Sequence, residues 1–518
     1  MSLAASESIE ASAVQRRLSH AVDPFALYAA LSDKGRRPDT ALFERTGGAT
    51  LLMDRAAVRA ECRGESVALS ALTSNGETLL KLVASRPAGE VIADEPDRLV
   101  LRFPRSDSLD AEGRLLAPSP LHAIRQLISP ATASGEEPFA GAAIGIVAFD
   151  YAALYEDVPD NAEDPLGFPD FIFWVPDSLV LFEPGSPARL ICTAFACGDF
   201  AEDRRNHNDA AERLAKLVEA CASAPALMPL SNALLRELPP FETDLDDNAY
   251  AEVVRRLREE IARGEIYQIV PSRTFRAPCS DPLRAYAALR ELETSPYRFY
   301  VSGADLVLFG ASPETSVRLY REEGWPTVEV RPIAGTRPRG ATADEDDRLE
   351  AEMRLDEKEI AEHMMLVDLA RNDVARISIP GTRRVARLLT VERYARVMHL
   401  VSSVTGKLAI GFDALDALAA CLNVGTLTGA PKIRATQLLR RTERTKRGPY
   451  GGAIGWVNGA GMMDTAVVIR SAVVRDGTAF VRAGAGVVYD SDPQAEADET
   501  RRKASALLSI LAATEANA

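Results

Sequence analysis

The sequence predicts an α+β fold, an α/β sandwich in which large antiparallel β-sheets are wrapped by packed helices. Short strand-like segments broken by turns fill the N-terminal half, and amphipathic helical spacings mark the second half. No regular strand–helix–strand beat joins them into a parallel sheet. The chain has 518 residues, 47% hydrophobic and 26% charged. That is long enough to bury a large core without disulfide staples.

Each element has its own signal, taken in chain order. Residues 65–83 place Asn75-Gly76 between two apolar runs, a hairpin-type turn signal. Residues 168–183 are aromatic and β-branched and read as a strand. A charged helix is expected over 201–222, and Pro239-Pro240 with the acidic run after it mark a boundary between a β-rich region 1–240 and a region 241–518. Asp247 or Asn248 can cap a helix whose Tyr250, Val253, Val254, Leu257 and Ile261 recur at helical spacing, with Gly264 as its stop. Residues 265–273 read as a strand, and 349–372 as one long helix with Ile360, Met364 and Val367 on its apolar face. A last helix begins at Asp492-Pro493, a capping residue followed by proline in the first turn.

Composition narrows the function. A net charge of −15 argues against a protein that binds nucleic acid through its phosphates. The six cysteines are scattered, with no CxxC pair, which suits reduced and mostly buried thiols. No basic stretch leads into an apolar run at the start, and nowhere do ~18 apolar residues follow one another. The expectation is a cytoplasmic protein that does not engage a membrane.

Three glycine-rich loops invite a nucleotide reading, and each departs from the pattern. The loop with Gly484 and Gly486 has Tyr489 where a dinucleotide fingerprint needs glycine. Residues 425–432 have the wrong glycine spacing for a P-loop, and 450–455 decide nothing. Two readings stay open for these loops: tight turns, or backbone N–H groups that meet an anionic ligand with help from Thr426, Lys432 and Arg470. Glu359, Glu362 and His363 share one helical face, and Glu496, Glu499 and Lys503 repeat that spacing. Such faces are either solvated charge or a few hard oxygens for Mg²⁺. Nothing suits zinc, and no serine elbow or cysteine–histidine pair suits acyl transfer.

Taken together, RPIAGTRPRG (331–340), EHMMLVDLARND (362–373), RVMHLVSSV (396–404), GTLTGAPKIRA (425–435), YGGAIG (450–455) and AGAGVVYDSDPQAEADETRRKA (483–504) resemble the anthranilate synthase component I family of chorismate-utilising enzymes. The resemblance runs in order through about residues 245–510, and more weakly upstream. It implies an α/β sandwich with one active site. Glu362 and Glu499 match the family's Mg²⁺ ligands, with Glu359 and Glu496 supporting them. Gly335, Thr336, Thr426, Tyr450, Arg470, Gly484, Ala485, Gly486 and Lys503 match the residues that hold chorismate. Glu314 matches the acid that protonates the departing C4 hydroxyl, and His399 the residue needed for pyruvate elimination. Burial beside other carboxylates should raise the Glu314 pKa.

Two positions bear on the product. Aminodeoxychorismate synthases carry a lysine nucleophile where this chain has Ala334. Isochorismate and salicylate synthases carry a lysine base where it has Gln268. Ammonia itself should therefore attack C2, giving 2-amino-2-deoxyisochorismate and then anthranilate and pyruvate. An aminodeoxychorismate or aminodeoxyisochorismate synthase is the alternative, and an idle subunit or amino-acid sensor the reading from another class. No cysteine sits on a glutaminase-type elbow, so the expected ammonia source is a separate glutamine amidotransferase subunit, in a heterodimer or heterotetramer, or else free ammonium at high pH. Family members regulated by tryptophan use LLES-type and SPYMFF-type segments. Here these read LLMDR (51–55) and SPYRFY (295–300), placing Arg55 and Arg298, with Trp456 and Ala466 nearby, in an altered site. The expected consequence is loss of tryptophan inhibition, suited to anthranilate supply for a secondary metabolite such as a quinolone or phenazine.

Overall fold

The computed structural model describes residues 10–106, 110–128, 137–161, 163–223, 241–394 and 397–516. Two antiparallel ladders share a pair of long strands, Thr50–Arg63 and Phe171–Phe182. On one side Thr50–Arg63 pairs with Thr40–Arg45, and the ladder runs on through Tyr297–Ser302, Val307–Ser312, Ser471–Arg475 and Thr478–Gly484 to Ser272–Pro278. On the other, Phe171–Phe182 pairs with Ala143–Val147. That ladder continues through Ala453–Val457, Met463–Val467, Thr315–Glu322 and Trp325–Val330 to Val397–Lys407.

The ladders stack face to face. Phe43, Leu51, Trp174 and Phe299 pack with Ile144 and Ile454 in one core between them. Helices Phe200–Ser223, Pro282–Leu292 and Pro493–Glu515 cover the outer face of the first, and Ser74–Ser85, Glu357–Ala375 and Ala414–Cys421 that of the second. The α+β sandwich expected from the sequence is therefore a four-layer α–β–β–α arrangement. Phe171–Phe182 lies buried almost throughout, which explains its unbroken apolar run. Its Pro176 falls where the register with Thr50–Arg63 shifts, the place a sheet tolerates a missing N–H. Pro239-Pro240, the expected boundary, lies outside the described residues. Strands from either side of it pair: Thr40–Arg45 with Tyr297–Ser302, and Ala143–Val147 with Ala453–Val457.

Several local expectations are corrected. Asn75-Gly76 is not a hairpin turn but the first turn of helix Ser74–Ser85, capped by Thr73. Tertiary contacts decide this. The Asn75 amide donates to Asp177 at 2.6 Å, and a Cβ on Gly76 would stand 2.0 Å from the Ala57 carbonyl oxygen. The cap of helix Asp247–Ala262 is Asp246. The long helix expected over 349–372 is two helices, Ala343–Leu355 and Glu357–Ala375, divided at Asp356. That residue's carboxylate accepts from the Lys358 and Glu359 N–H groups and restarts the chain as a new helix. Its buried face carries His363, Leu366, Val367 and Ala370, while Met364 is exposed. The strand expected over 265–273 is interrupted, with Gln268–Ile269 in a two-stranded pair and Ser272–Pro278 in the main sheet. Among the described residues no helix is long and apolar enough to cross a membrane. All six cysteines are free, five of them buried.

Candidate active site

Strand ends and three helices of the C-terminal half enclose a cavity of ≈ 220 Å³. Strand Val397–Lys407 brings His399 opposite Thr336 of strand Ile333–Pro338. The register shifts at Gly335, whose φ of +75° suits glycine. The carboxyl of Glu314 enters from the turn between Val307–Ser312 and Thr315–Glu322. Helix Glu357–Ala375 contributes Glu362, and helix Pro493–Glu515 contributes Glu499 and Lys503. The short turn Gly425–Thr428 supplies Thr426, and the end of Thr478–Gly484 supplies Gly484 and, just beyond, Gly486.

Glu314 is buried, and burial pushes its carboxyl up to about 8 against the opposing hydrogen bond from Thr426 Oγ1, 2.7 Å from Oε1. The shift agrees with the sequence expectation, but its cause is desolvation rather than neighbouring carboxylates. His399 is pushed down by its own burial, with Arg470 adding to the effect and the Gly335 carbonyl opposing it. Its Nδ1 lies 2.9 Å from Thr336 Oγ1 and 3.3 Å from the Gly335 oxygen. A carbonyl only accepts, which favours hydrogen on Nδ1 and leaves the Nε2 lone pair for a proton.

Arg470 lines the cavity with no ion pair among the described residues, and its φ of +49° is rare for a residue with a side chain. Gly484 and Gly486 admit no side chain without displacement. A Cβ on the first would lie 2.7 Å from the Pro271 oxygen and 3.2 Å from the Tyr450 hydroxyl, and one on the second 2.9 Å from Gln268 Nε2. Burial pushes the Tyr450 phenol up to about 12, so it stays a neutral hydroxyl.

Glu362 and Glu499 stand on the wall of this same cavity. Burial raises the Glu362 pKa, and Gln268 Nε2 donates to its Oε1 at 2.8 Å. Burial would raise Glu499 as well, but Lys503 and Arg502 outweigh it and hold the group down. Among the described residues no three acidic, histidine or cysteine side chains gather as a ready-made metal cage. Two carboxylates beside an open cavity nevertheless suit Mg²⁺, which keeps waters and takes oxygens from its substrate. Gln268 Oε1, buried without a partner, is a further polar oxygen beside them.

Twelve of the expected site residues share this wall, and Ala334 lies among them. Gly335 and Ala485 shape its backbone from just outside. Glu359 is held by Arg337 at 2.9 Å, and Glu496 bonds Ser491, so neither reaches the cavity. His363 turns into the core and bonds Ser402 Oγ at 2.7 Å. Lys432 pairs with Asp373 at 2.6 Å and is removed from the anion-binding set. The expected tryptophan-site residues do not converge. Arg55 points to Asp177 and Arg298 toward Glu44, while Trp456 packs on Phe139. Register explains this: strand Tyr297–Ser302 pairs with Thr40–Arg45 rather than with residues 51–55, so Arg45 stands opposite Tyr297.

Sequence reasoning missed Arg482, which lines the cavity and rests on a buried network. Arg482 and Arg447 both bond Glu443, at 3.0 and 2.6 Å, and the Ser272 N–H and hydroxyl donate to the same carboxylate at 2.8 Å. An arginine two residues before Gly484 in an otherwise apolar strand was the available signal.

Comparison with known proteins agrees with this architecture. A component 1 of anthranilate synthase described as pyocyanine specific, from Pseudomonas aeruginosa, is 46% identical over 470 residues, covering 88% of this chain and 86% of that one. Anthranilate synthase component 1 of Vibrio cholerae is 43% identical over 509 residues, 95% of each chain. The crystal structure of anthranilate synthase component I from Streptococcus pneumoniae superimposes with a TM-score of 0.70 at 30% identity, covering 89% of this chain and 92% of that one. The family model of chorismate binding enzymes matches residues 69–509, and the chain belongs to that family.

Proposed function

We propose that this chain is the large subunit of an anthranilate synthase, converting chorismate and ammonia to anthranilate and pyruvate through 2-amino-2-deoxyisochorismate. The observation that carries the reading is Glu314, a buried acid kept protonated near neutral pH in the same cavity as His399 and Arg470, which has no ion pair among the described residues. Arg470 and the N–H groups around Gly484 and Gly486 receive a substrate carboxylate. Glu362 and Glu499 hold Mg²⁺, which when bound supplies positive charge to the ring carboxylate as the ring rearranges. Glu314 gives its proton to the C4 oxygen, which departs as water, because hydroxide leaves poorly. Ammonia forms the C2–N bond and the nitrogen then loses one proton to solvent; Ala334 offers no nucleophile and Gln268 no base to direct the reaction otherwise. As the ring aromatises, His399 Nε2 takes the C2 proton while the C3–O bond breaks, and the departing enolpyruvate takes a proton at its methylene carbon to become pyruvate.

The ammonia comes from a separate glutamine amidotransferase subunit, since no cysteine here is fully exposed beside a general base. We further propose that tryptophan does not inhibit the enzyme and that its product serves secondary metabolism. In support, Arg45 makes a 2.9 Å ion pair with buried Asp464 opposite Tyr297, and one relative is named as pyocyanine specific. Purified chain, chorismate, Mg²⁺ and an ammonium salt should give fluorescent anthranilate. A product bearing nitrogen at C4, identified by mass spectrometry and NMR, would overturn the assignment.

A further inference from the structure

An acid that gives up a proton in every turnover must recover one, and Glu314 is buried under its substrate cavity. Behind it lies a void of ≈ 10 Å³, enough for about one water molecule. Its polar lining residues are Glu314, Thr426, Asp373, Thr315 and Arg331, a composition that suits a water rather than an apolar guest. Thr315 and Arg331 also line a second, larger chamber of ≈ 580 Å³ with Arg45, Tyr297, Arg339 and Arg393. Arg339 and Arg393 are 33% and 38% exposed, so this chamber reaches solvent, and it shares no lining residue with the substrate cavity. The Thr315 hydroxyl lies 3.0 Å from that of Tyr297, which donates to Asp464 at 2.8 Å, so its place at the junction is held by hydrogen bonds.

We propose that Thr315 relays protons to Glu314 from the arginine-lined chamber through one water in the void. The inference rests on the reading of Glu314 as the acid for the C4 oxygen. In each turnover the Glu314 O–H bond breaks and a new O–H bond forms on the departing oxygen, which leaves as water. The void water then passes a proton to the Glu314 carboxylate and takes one from the Thr315 hydroxyl, which turns from the Tyr297 oxygen to give it. Thr315 is restored by a chamber water, and the hydroxide left there is neutralised by a proton from bulk solvent. The direction is set by the Glu314 carboxylate, which burial makes the strongest proton acceptor on the path once its own proton has gone. Thr315 is thus a positioning and relay residue that does not touch substrate.

The test is rapid-quench measurement of anthranilate per active site, with chorismate, Mg²⁺ and ammonium. Thr315→Val removes the hydroxyl and keeps the shape. Its first turnover should match wild type, because Glu314 starts protonated. Its steady-state rate should fall about tenfold or more, within the range general acid help supplies, and so a burst should appear. Thr315→Ser should restore the steady state. A Thr315→Val enzyme without a burst, whether unaltered or slowed equally in both phases, would overturn the relay. Should that variant not fold, Ala370→Val, which fills the void from helix Glu357–Ala375, carries the same expectation. Wild-type chain that makes no anthranilate would instead sink the reading of Glu314 on which the relay rests.

Discussion

Thr426 Oγ1 donates a 2.7 Å hydrogen bond to Glu314 Oε1, and that bond opposes the rise in pKa that burial imposes on the carboxyl. The pair sets the protonation state on which acid catalysis depends. Removing the hydroxyl in Thr426→Ala should push the Glu314 pKa above about 8 and carry the alkaline limb of the kcat/KM profile upward with it. An unmoved limb would show that another group titrates there.

In wild type the active form is the protonated one, so kcat/KM should decline as pH rises through about 8. Glu314→Gln should lower kcat by about 10²–10⁴-fold, the usual worth of a general acid, with chorismate KM little changed. Full turnover by this variant would remove Glu314 from the mechanism.

The same carboxyl links stability to pH. Its folded pKa stands above its unfolded value, so the folded state holds a proton that the unfolded chain has already lost, and stability falls as pH rises from about 4.5 to about 8. Glu314→Gln does not titrate, and its melting temperature relative to wild type should therefore climb between pH 5 and about pH 9, as read by thermal denaturation.

Glu362 and Glu499 stand on one cavity wall, and either one changed to Gln should weaken Mg²⁺ activation. The expected readout is a Mg²⁺ titration whose midpoint moves upward by about tenfold or more, the direction expected from losing one of two charged oxygens. Chelation with EDTA should abolish wild-type turnover and added Mg²⁺ restore it.

Beneath the site, Glu443 neutralises Arg447 and Arg482, and the two arginines draw its pKa down despite its burial. Glu443→Gln leaves two buried guanidiniums short of a counter-charge, at a cost of about 3–5 kcal/mol. Denaturant unfolding should show a lower midpoint with an unchanged slope.

How far the sequence reached is clearest in particular residues. Asp492-Pro493 announces its helix because cap and proline act within one turn. The motifs around Glu314, His399, Glu362 and Gly484 identify the wall of the cavity because each must keep a chemically particular group in place. Asn75-Gly76 misled because a local turn signal was outweighed by contacts with Asp177 and Ala57, far away in the chain. Arg55 misled because strand register is set by pairing across the sheet and not by motif spacing, so Arg45 took the place opposite Tyr297.

By itself the sequence determined the α+β class, the family and the chemical inventory of the site, since periodicity, caps and reactive groups are local properties of the chain. Tertiary structure alone decided which glutamates face the cavity, that Lys432 is spent on Asp373, and that Thr315 stands between Glu314 and a second chamber. Those outcomes depend on desolvation and on contacts between residues far apart in the chain, and neither quantity exists until the layers have packed.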